Sequence, residues 1–226
     1  MIAGKTMIQR VYEQASRAAL VAKVIVATDD PRILEHVREF GGTAMLTSAY
    51  HPSGTDRCAE VAASFPEADI ILNIQGDEPF VQPEQINLLA QTLLERPRFQ
   101  IATLAKRIEH AETLLNPNAV KVVFSQKNGA IYFSRHPIPF VRDAIPESWL
   151  ERHIFYKHIG LYAFRRTTLQ RIARLRPTPL ELAESLEQLR WLEHGLRIAV
   201  GITELETIGV DTPADLERLQ NQPVTV

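Results

Sequence analysis

The chain has 226 residues, 45% of them hydrophobic and 23% charged, with a net charge of −2. That is enough for one sizeable core, or a core with a small annex, in an ordinary globular composition. No basic stripe speaks for nucleic acid, and no apolar run approaches the roughly 18–20 residues that span a bilayer.

The opening segment, Met1 to Gln14, turns polar too soon for a secretory signal, so a soluble cytoplasmic chain is expected. A single cysteine, Cys58, cannot form an internal disulfide and fits a reducing compartment. Ala3-Gly4-Lys5-Thr6 looks like the tail of a phosphate-binding loop, but that motif's first glycine would precede Met1 and no strand leads into it.

Val24 to Ala27 reads as a strand, followed after Asp29-Asp30-Pro31 by a helix through Val37. His51-Pro52-Ser53-Gly54-Thr55-Asp56-Arg57 then leads into a helix whose apolar face holds Cys58, Val61, Ala62 and Phe65, which marks Cys58 as a core thiol. Asp69 to Ile74 is a second strand, broken by Gln75-Gly76-Asp77-Glu78-Pro79, with a helix from about Pro83 to Leu94. Apolar strands alternating with helices predict an α/β core with parallel strands at 24–27 and 70–74 ending at one crevice, where such sheets bind ligands.

The middle of the chain is β-rich. Ala119 to Phe124 and Ala130 to Ser134 flank the hairpin signal Asn128-Gly129, and His158 to Phe164 adds a strand. With the Pro- and aromatic-rich stretch between them, these predict a smaller β-containing subdomain over about 117–165, with the core over about 1–116 and 166–226. Thr178-Pro179-Leu180-Glu181 opens a helix with a capping box, running to Gly195 as its C-terminal cap. A strand at Ile198 to Ile202, the segment Gly209-Val210-Asp211 and a helix from Thr212-Pro213 close the chain.

Several residues are placed for chemistry. Asp77 follows a strand behind Gly76, where it is either a ligand carboxylate or a turn carboxylate serving local amides. Asp211 is spare at a strand end, because Thr212 supplies the helix cap and Asp215 its capping-box partner. Two such carboxylates suit Mg2+, which takes one or two of them with phosphates and waters. Ser53, Gly54 and Thr55 offer amides and hydroxyls at a helix N-terminus, or are simply its cap. Arg135 at a strand end is either a carboxylate clamp or a solvated residue, and His158 holds either a hydroxyl or a buried carbonyl. The histidines and Cys58 show no zinc-ligand spacing.

In this order these segments resemble the 3-deoxy-D-manno-octulosonate (Kdo) cytidylyltransferases. The pieces that carry the resemblance are Gly4-Lys5 with Met7-Ile8, Val26-Ala27-Thr28-Asp29, the 51–57 stretch and Asn73 to Pro79. They continue with Asn116 to Val122, Tyr132-Phe133-Ser134-Arg135, His158 to Tyr162, Pro179-Leu180-Glu181, Leu186 to Arg190 and Gly209 to Pro213. The resemblance implies a Rossmann-like nucleotidyltransferase sheet with helices on both faces and a dimerisation subdomain. It also implies CTP and an eight-carbon acidic sugar as substrates, a homodimer and a product feeding lipopolysaccharide assembly. Asp77 and Asp211 would then hold Mg2+, Gln75 and the Ser53-Gly54-Thr55 turn would lie near the cytidine, and Arg135, His158, Tyr162, Glu187 and Gln188 would line the sugar pocket. By helical wheel alone, Glu187 and Gln188 flank the stripe of Leu182, Leu186 and Leu189 and would face solvent.

In this family a core strand and a basic loop that grips the triphosphate come first, and Met1 aligns just after that loop. The alternatives left open are a cytidylyltransferase for a related 2-keto-3-deoxy acid and a truncated, catalytically silent homologue. A dimer is expected through the β-containing region, whose Pro137, Pro139, Phe140, Trp149 and Phe155 exceed what an annex can bury alone.

Overall fold

A computed structural model describes residues 4–206 of the chain. The fold is α/β, and it divides into two compact units, 4–68 with 73–87 and 206, and 69–72 with 88–205, of the described residues.

In the first unit α1, Met7–Arg17, starts where the Thr6 hydroxyl accepts the Gln9 N–H at 3.4 Å, and it buries Val11 and Ala15. Lys5, from the rejected phosphate-loop motif, pairs with Glu13 at 2.6 Å instead. The three-residue strand β1, Val26–Thr28, ends at Asp30, which caps α2, Pro31–Glu39, by accepting the Arg32 N–H at 2.8 Å. Pro31 occupies the first turn, where its missing N–H leaves nothing unpaired. The chain then turns through Gly42, where a Cβ would meet Val37 and Phe40 side chains at 2.7 Å, so only glycine fits. Next, β2, Ala44–Leu46, lies parallel to β1 with Val26 opposite Ala44. Ser53 caps α3, Gly54–Ala63.

The second unit holds the larger sheet. Its elements begin with β3, Ile70–Asn73, whose last residue belongs to the first unit; the helix α4, Pro83–Leu94, of which 88–94 belong to the second unit, then leads to β4, Ile101–Arg107, and α5, Ala111–Leu115. The hairpin β5, Lys121–Phe124, and β6, Ala130–Ser134, follows, then α6, Trp149–Arg152, and the long β7, Tyr156–Arg165. The chain continues through α7, Arg166–Ile172, α8, Pro179–Glu184, α9, Glu187–Glu193, and β8, Ile198–Ile202. The strand order is β6-β5-β7-β4-β8, with β3 also paired to β7. β4 runs antiparallel to β7 and parallel to β8. Gly201 lets α4 come close: a Cβ there would sit 2.6 Å from Thr92 Oγ1 and 2.8 Å from Leu104 Cδ2. The core is large and aromatic, with Phe133, Phe155, Phe164 and Trp191 almost wholly buried.

Three expectations change. Among the described residues strands 24–27 and 70–74 fall in two sheets, where β1 pairs with β2 and β3 with β7. An apolar run marks a strand but carries no information on which edge it joins. The helix foreseen from Thr178 to Gly195 is two helices, because Ser185 adopts a left-handed φ of 52° and ends α8. Both predicted ends hold, since Glu181 reaches back to the Thr178 N–H at 3.2 Å and Gly195 has φ 74°. Third, Trp149 and Phe155 are no surplus surface. They stack at 6.2 Å in a cluster with Ile108 and Leu114, and Pro137 is buried as well.

The hairpin is present, with Asn128 at φ 55° and the Ser125 N–H bonded to the Gly129 carbonyl at 2.9 Å. Among the described residues no helix is long and apolar enough to cross a membrane. The segment from Gly209 through Asp211 to the final helix lies outside the described residues.

Candidate functional site

In the first unit the candidate residues gather at the start of α3 and just beyond β3. The Ser53 hydroxyl accepts the Asp56 N–H at 3.2 Å and donates to Asp56 Oδ2 at 2.6 Å, so the cap and its first-turn carboxylate lock each other. Gly54 is exposed and Thr55 buried, and an added Cβ on Gly54 would lie 3.6 Å from Gln75 Nε2 and 3.8 Å from Asn73 Nδ2. Amide side chains of Asn73 and Gln75 therefore stand beside a helix N-terminus, a set able to read the donor and acceptor edge of a ligand. Asn73 was missed from sequence, although its place at the end of an apolar strand was a usable signal.

Arg57 holds the α3 start to β1's exit, pairing with Asp29 at 3.1 Å and donating to Thr47 Oγ1 at 2.5 Å. His51 binds Glu60, which also accepts the Ser48 N–H at 3.1 Å. Burial pushes the Cys58 thiol up to about 12, which disfavours the thiolate. Asp77 occupies the turn after β3, closed by the Glu78 N–H on the Gln75 carbonyl at 3.3 Å. A groove of about 680 Å³ in the same unit is lined by Thr6, Ile8, Val26, Thr28, Ile33 and Gly76, among others.

In the second unit His158, Tyr162, Arg135, Glu187 and Gln188 lie on β7, the end of β6 and the start of α9. A register shift between Thr103 and Leu104 bulges β7 and frees carbonyls that the Thr103 hydroxyl meets, Leu161 at 2.8 Å and Ile159 at 3.1 Å. The same hydroxyl lies 2.8 Å from His158 Nε2. A hydroxyl has one proton and a carbonyl can only accept, so the proton goes to a carbonyl and Nε2–H donates to Thr103. The imidazole is thereby set in the Nε2–H tautomer, with Nδ1 as its acceptor. Burial lowers its pKa to about 3, so it is neutral at ordinary pH and acts as no acid. Thr103, which fixes this state, left no sign in the sequence because the bulge is a property of the pairing.

Tyr162 is also buried, packed against Trp191 at 4.9 Å, and burial followed by the charge of Glu187 raises its phenol well above the usual range. Gln188 is 4% exposed, which corrects its expected solvated position: the break at Ser185 turns the start of α9 away from the α8 wheel. Glu187 occupies the first position of α9, with Arg190 Nη2 at 3.8 Å, while Arg190 is held chiefly by Glu181 at 2.5 and 2.7 Å.

Arg135 is half-buried and held in place. Its Nε donates to the Glu184 carbonyl at 2.7 Å, Nη1 to Pro117 at 3.2 Å and Nη2 to Ser185 at 3.3 Å.

A family profile described as cytidylyltransferase matches residues 1–198. The 3-deoxy-manno-octulosonate cytidylyltransferase of Cytophaga hutchinsonii is 52% identical over 220 residues, covering 96% of this chain and 87% of its own. That of Bacteroides thetaiotaomicron is 51% identical over 224 residues, covering 97% and 88%. A solved CMP:2-keto-3-deoxy-manno-octonic acid synthetase complexed with CTP superposes with a TM-score of 0.90 at 45% identity, covering 97% of this chain and 88% of that one. A 4-diphosphocytidyl-2C-methyl-D-erythritol synthase from Anaerococcus prevotii, at 14% identity and TM-score 0.61, shares the fold. The chain belongs to the cytidylyltransferase family, with the 3-deoxy-manno-octulosonate cytidylyltransferases as relatives along nearly its whole length.

Proposed function

We propose that this chain transfers the CMP group of CTP to the anomeric hydroxyl of Kdo, giving CMP-Kdo and pyrophosphate for lipopolysaccharide assembly. The observation that carries this reading is the 0.90 TM-score at 45% identity to a synthetase for that sugar complexed with CTP. The hydroxyl oxygen bonds to the α-phosphorus, its proton passes to solvent, and pyrophosphate departs with the electrons of the broken P–O bond. Positioning and charge neutralisation supply most of the rate in such in-line displacements.

The side chains support the division of labour. The α3 start with Gln75 and Asn73 receives the cytidine, where amides can pair with the base. Arg135 receives the sugar's carboxylate, and neutral His158 accepts a hydrogen bond from a sugar hydroxyl through Nδ1. Tyr162, Glu187 and Gln188 line the same pocket.

Magnesium fits the donors at hand. Among the described residues no cluster of three or more metal-binding side chains exists, yet Mg2+ commonly takes one or two carboxylates and completes its shell with substrate phosphate and water. Asp77 is such a hard oxygen donor, and Asp211, its expected partner, lies outside the described residues. When bound, the ion neutralises phosphate charge in the transition state. A homodimer is supported by Phe140, 74% exposed, with Ile145 and Ile154 also exposed on the second unit. The chain is expected to work in the cytoplasm, where CTP is made.

Incubation with CTP, Mg2+ and Kdo, followed by phosphorus NMR, tests the reading. Equal formation of pyrophosphate and a CMP-sugar diester is expected. Turnover with a sialic acid or an amino-Kdo in place of Kdo would redirect the substrate assignment, and no pyrophosphate with any of these acids would overturn it. Sedimentation of a monomer at micromolar concentration would remove the dimer.

A further inference from the structure

The end of β6 is held more firmly than a strand end requires. Both backbone groups of Arg135 are taken by charged side chains: its N–H donates to Glu184 Oε2 at 2.9 Å, and its carbonyl accepts from Lys121 Nζ at 2.5 Å. Lys121 is fully buried, and its ammonium also donates to the Asn116 carbonyl at 2.9 Å. Glu184 Oε1 accepts the Ser134 hydroxyl at 2.7 Å, and the carboxylate also takes a hydrogen bond from Tyr132. The guanidinium spends three of its protons on the Pro117, Glu184 and Ser185 carbonyls. A guanidinium has five, so one remains on each terminal nitrogen, the pair that a carboxylate accepts side by side.

We propose that Glu184, backed by Lys121, is a positioning residue that presents Arg135 to the carboxylate of the acidic sugar. The inference rests on the reading of Arg135 as that carboxylate's receptor. Two cations and one carboxylate in this group leave a net positive charge, which a monoanionic substrate neutralises. A staple joining α8 to β6 would need no buried lysine, because its ammonium serves instead the main chain of Arg135 and of Asn116, the residue that caps the C-terminus of α5. Burial lowers Lys121 to about 8 and the charge of Glu184 opposes that shift, so the carboxylate also keeps the lysine charged. The left-handed Ser185 adds to the same end, since the break it makes turns the Ser185 carbonyl onto Nη2.

The test is Glu184→Gln, which keeps size and one acceptor but loses the charge. KM for Kdo should rise about tenfold, the scale of one hydrogen bond to a charged group, with KM for CTP within about twofold of the parent. In protein labelled with 15N-arginine, the Arg135 Nε–H should exchange with solvent at least about tenfold faster. Arg135→Lys should raise KM for Kdo more, and the double variant should add little to it, as coupled residues do. Ser134→Ala, which removes one donor to Glu184 and nothing from Arg135, should shift the same two readouts less, and it serves if Glu184→Gln does not fold. A melting-temperature loss with KM for both substrates moved equally, or an unchanged Arg135 Nε–H, would overturn the proposal. A parent chain without Kdo turnover would end the functional reading, and the Nε–H exchange would still decide the positioning.

Discussion

The two units differ in how they are built. Among the described residues, the first buries nothing larger than Ile86, and its regular pairing is two strands of three residues each. The start of α3 is held by polar links, Ser53 with Asp56 and Arg57 with Asp29. The second buries Phe133, Phe155, Phe164 and Trp191 around a seven-residue and a ten-residue strand. Aromatic burial contributes several kcal/mol per side chain, whereas exposed polar links contribute about 1 or less. Substitutions in the aromatic core of the second unit should therefore register first in stability, and those at the first unit's candidate site in catalysis.

The largest effect tests the heavy core. Trp149→Ala should cost about 3–5 kcal/mol of stability, read by urea unfolding, since the ring is 4% exposed and stacked on Phe155. A cost below about 1 kcal/mol would show that the cluster packs loosely and would blunt the contrast.

Asp77→Asn makes the opposite claim for the first unit. Turnover should fall at least a hundredfold, about 2.7–4 kcal/mol of transition-state stabilisation, with the melting temperature unchanged. Activity within about threefold of the parent would move the metal assignment elsewhere.

A pH series probes the second unit through His158, whose folded pKa of about 3 lies below the ordinary 6.5. Below about 6.5 the unfolded chain binds a proton that the folded chain refuses, so this site's stabilisation is complete above that pH. It is lost as pH falls toward 3, by up to about 1.4 kcal/mol per pH unit. His158→Gln should flatten the acid limb of a melting-temperature profile, and an identical limb would mean that the imidazole is not the buried neutral group described.

The smallest effect sharpens the first unit. At Gly54 a methyl would touch Gln75 and Asn73 at ordinary van der Waals distance, so Gly54→Ala should fold normally. It should raise KM for CTP about threefold by occupying the space beside the base-reading amides. An unchanged KM would place the cytidine away from α3.

Much of this was legible from residue order alone. Caps at Ser53 and Thr178, the turn at Asn128 and the helical stop at Gly195 each depend on a residue's own chemistry with its near neighbours. The family resemblance also lay in the string, and the proposed roles of Arg135, His158 and Gln75 come from it. Tertiary structure decided the rest, for a physical reason: strand partners and side-chain protonation depend on groups far apart in the chain. The β7 bulge opposite Thr103 set the imidazole tautomer, and the left-handed Ser185 split one expected helix and buried Gln188. Lys121 and Glu184 read as a strand lysine and a helix glutamate, and only packing 63 residues apart in sequence gathered them around Arg135.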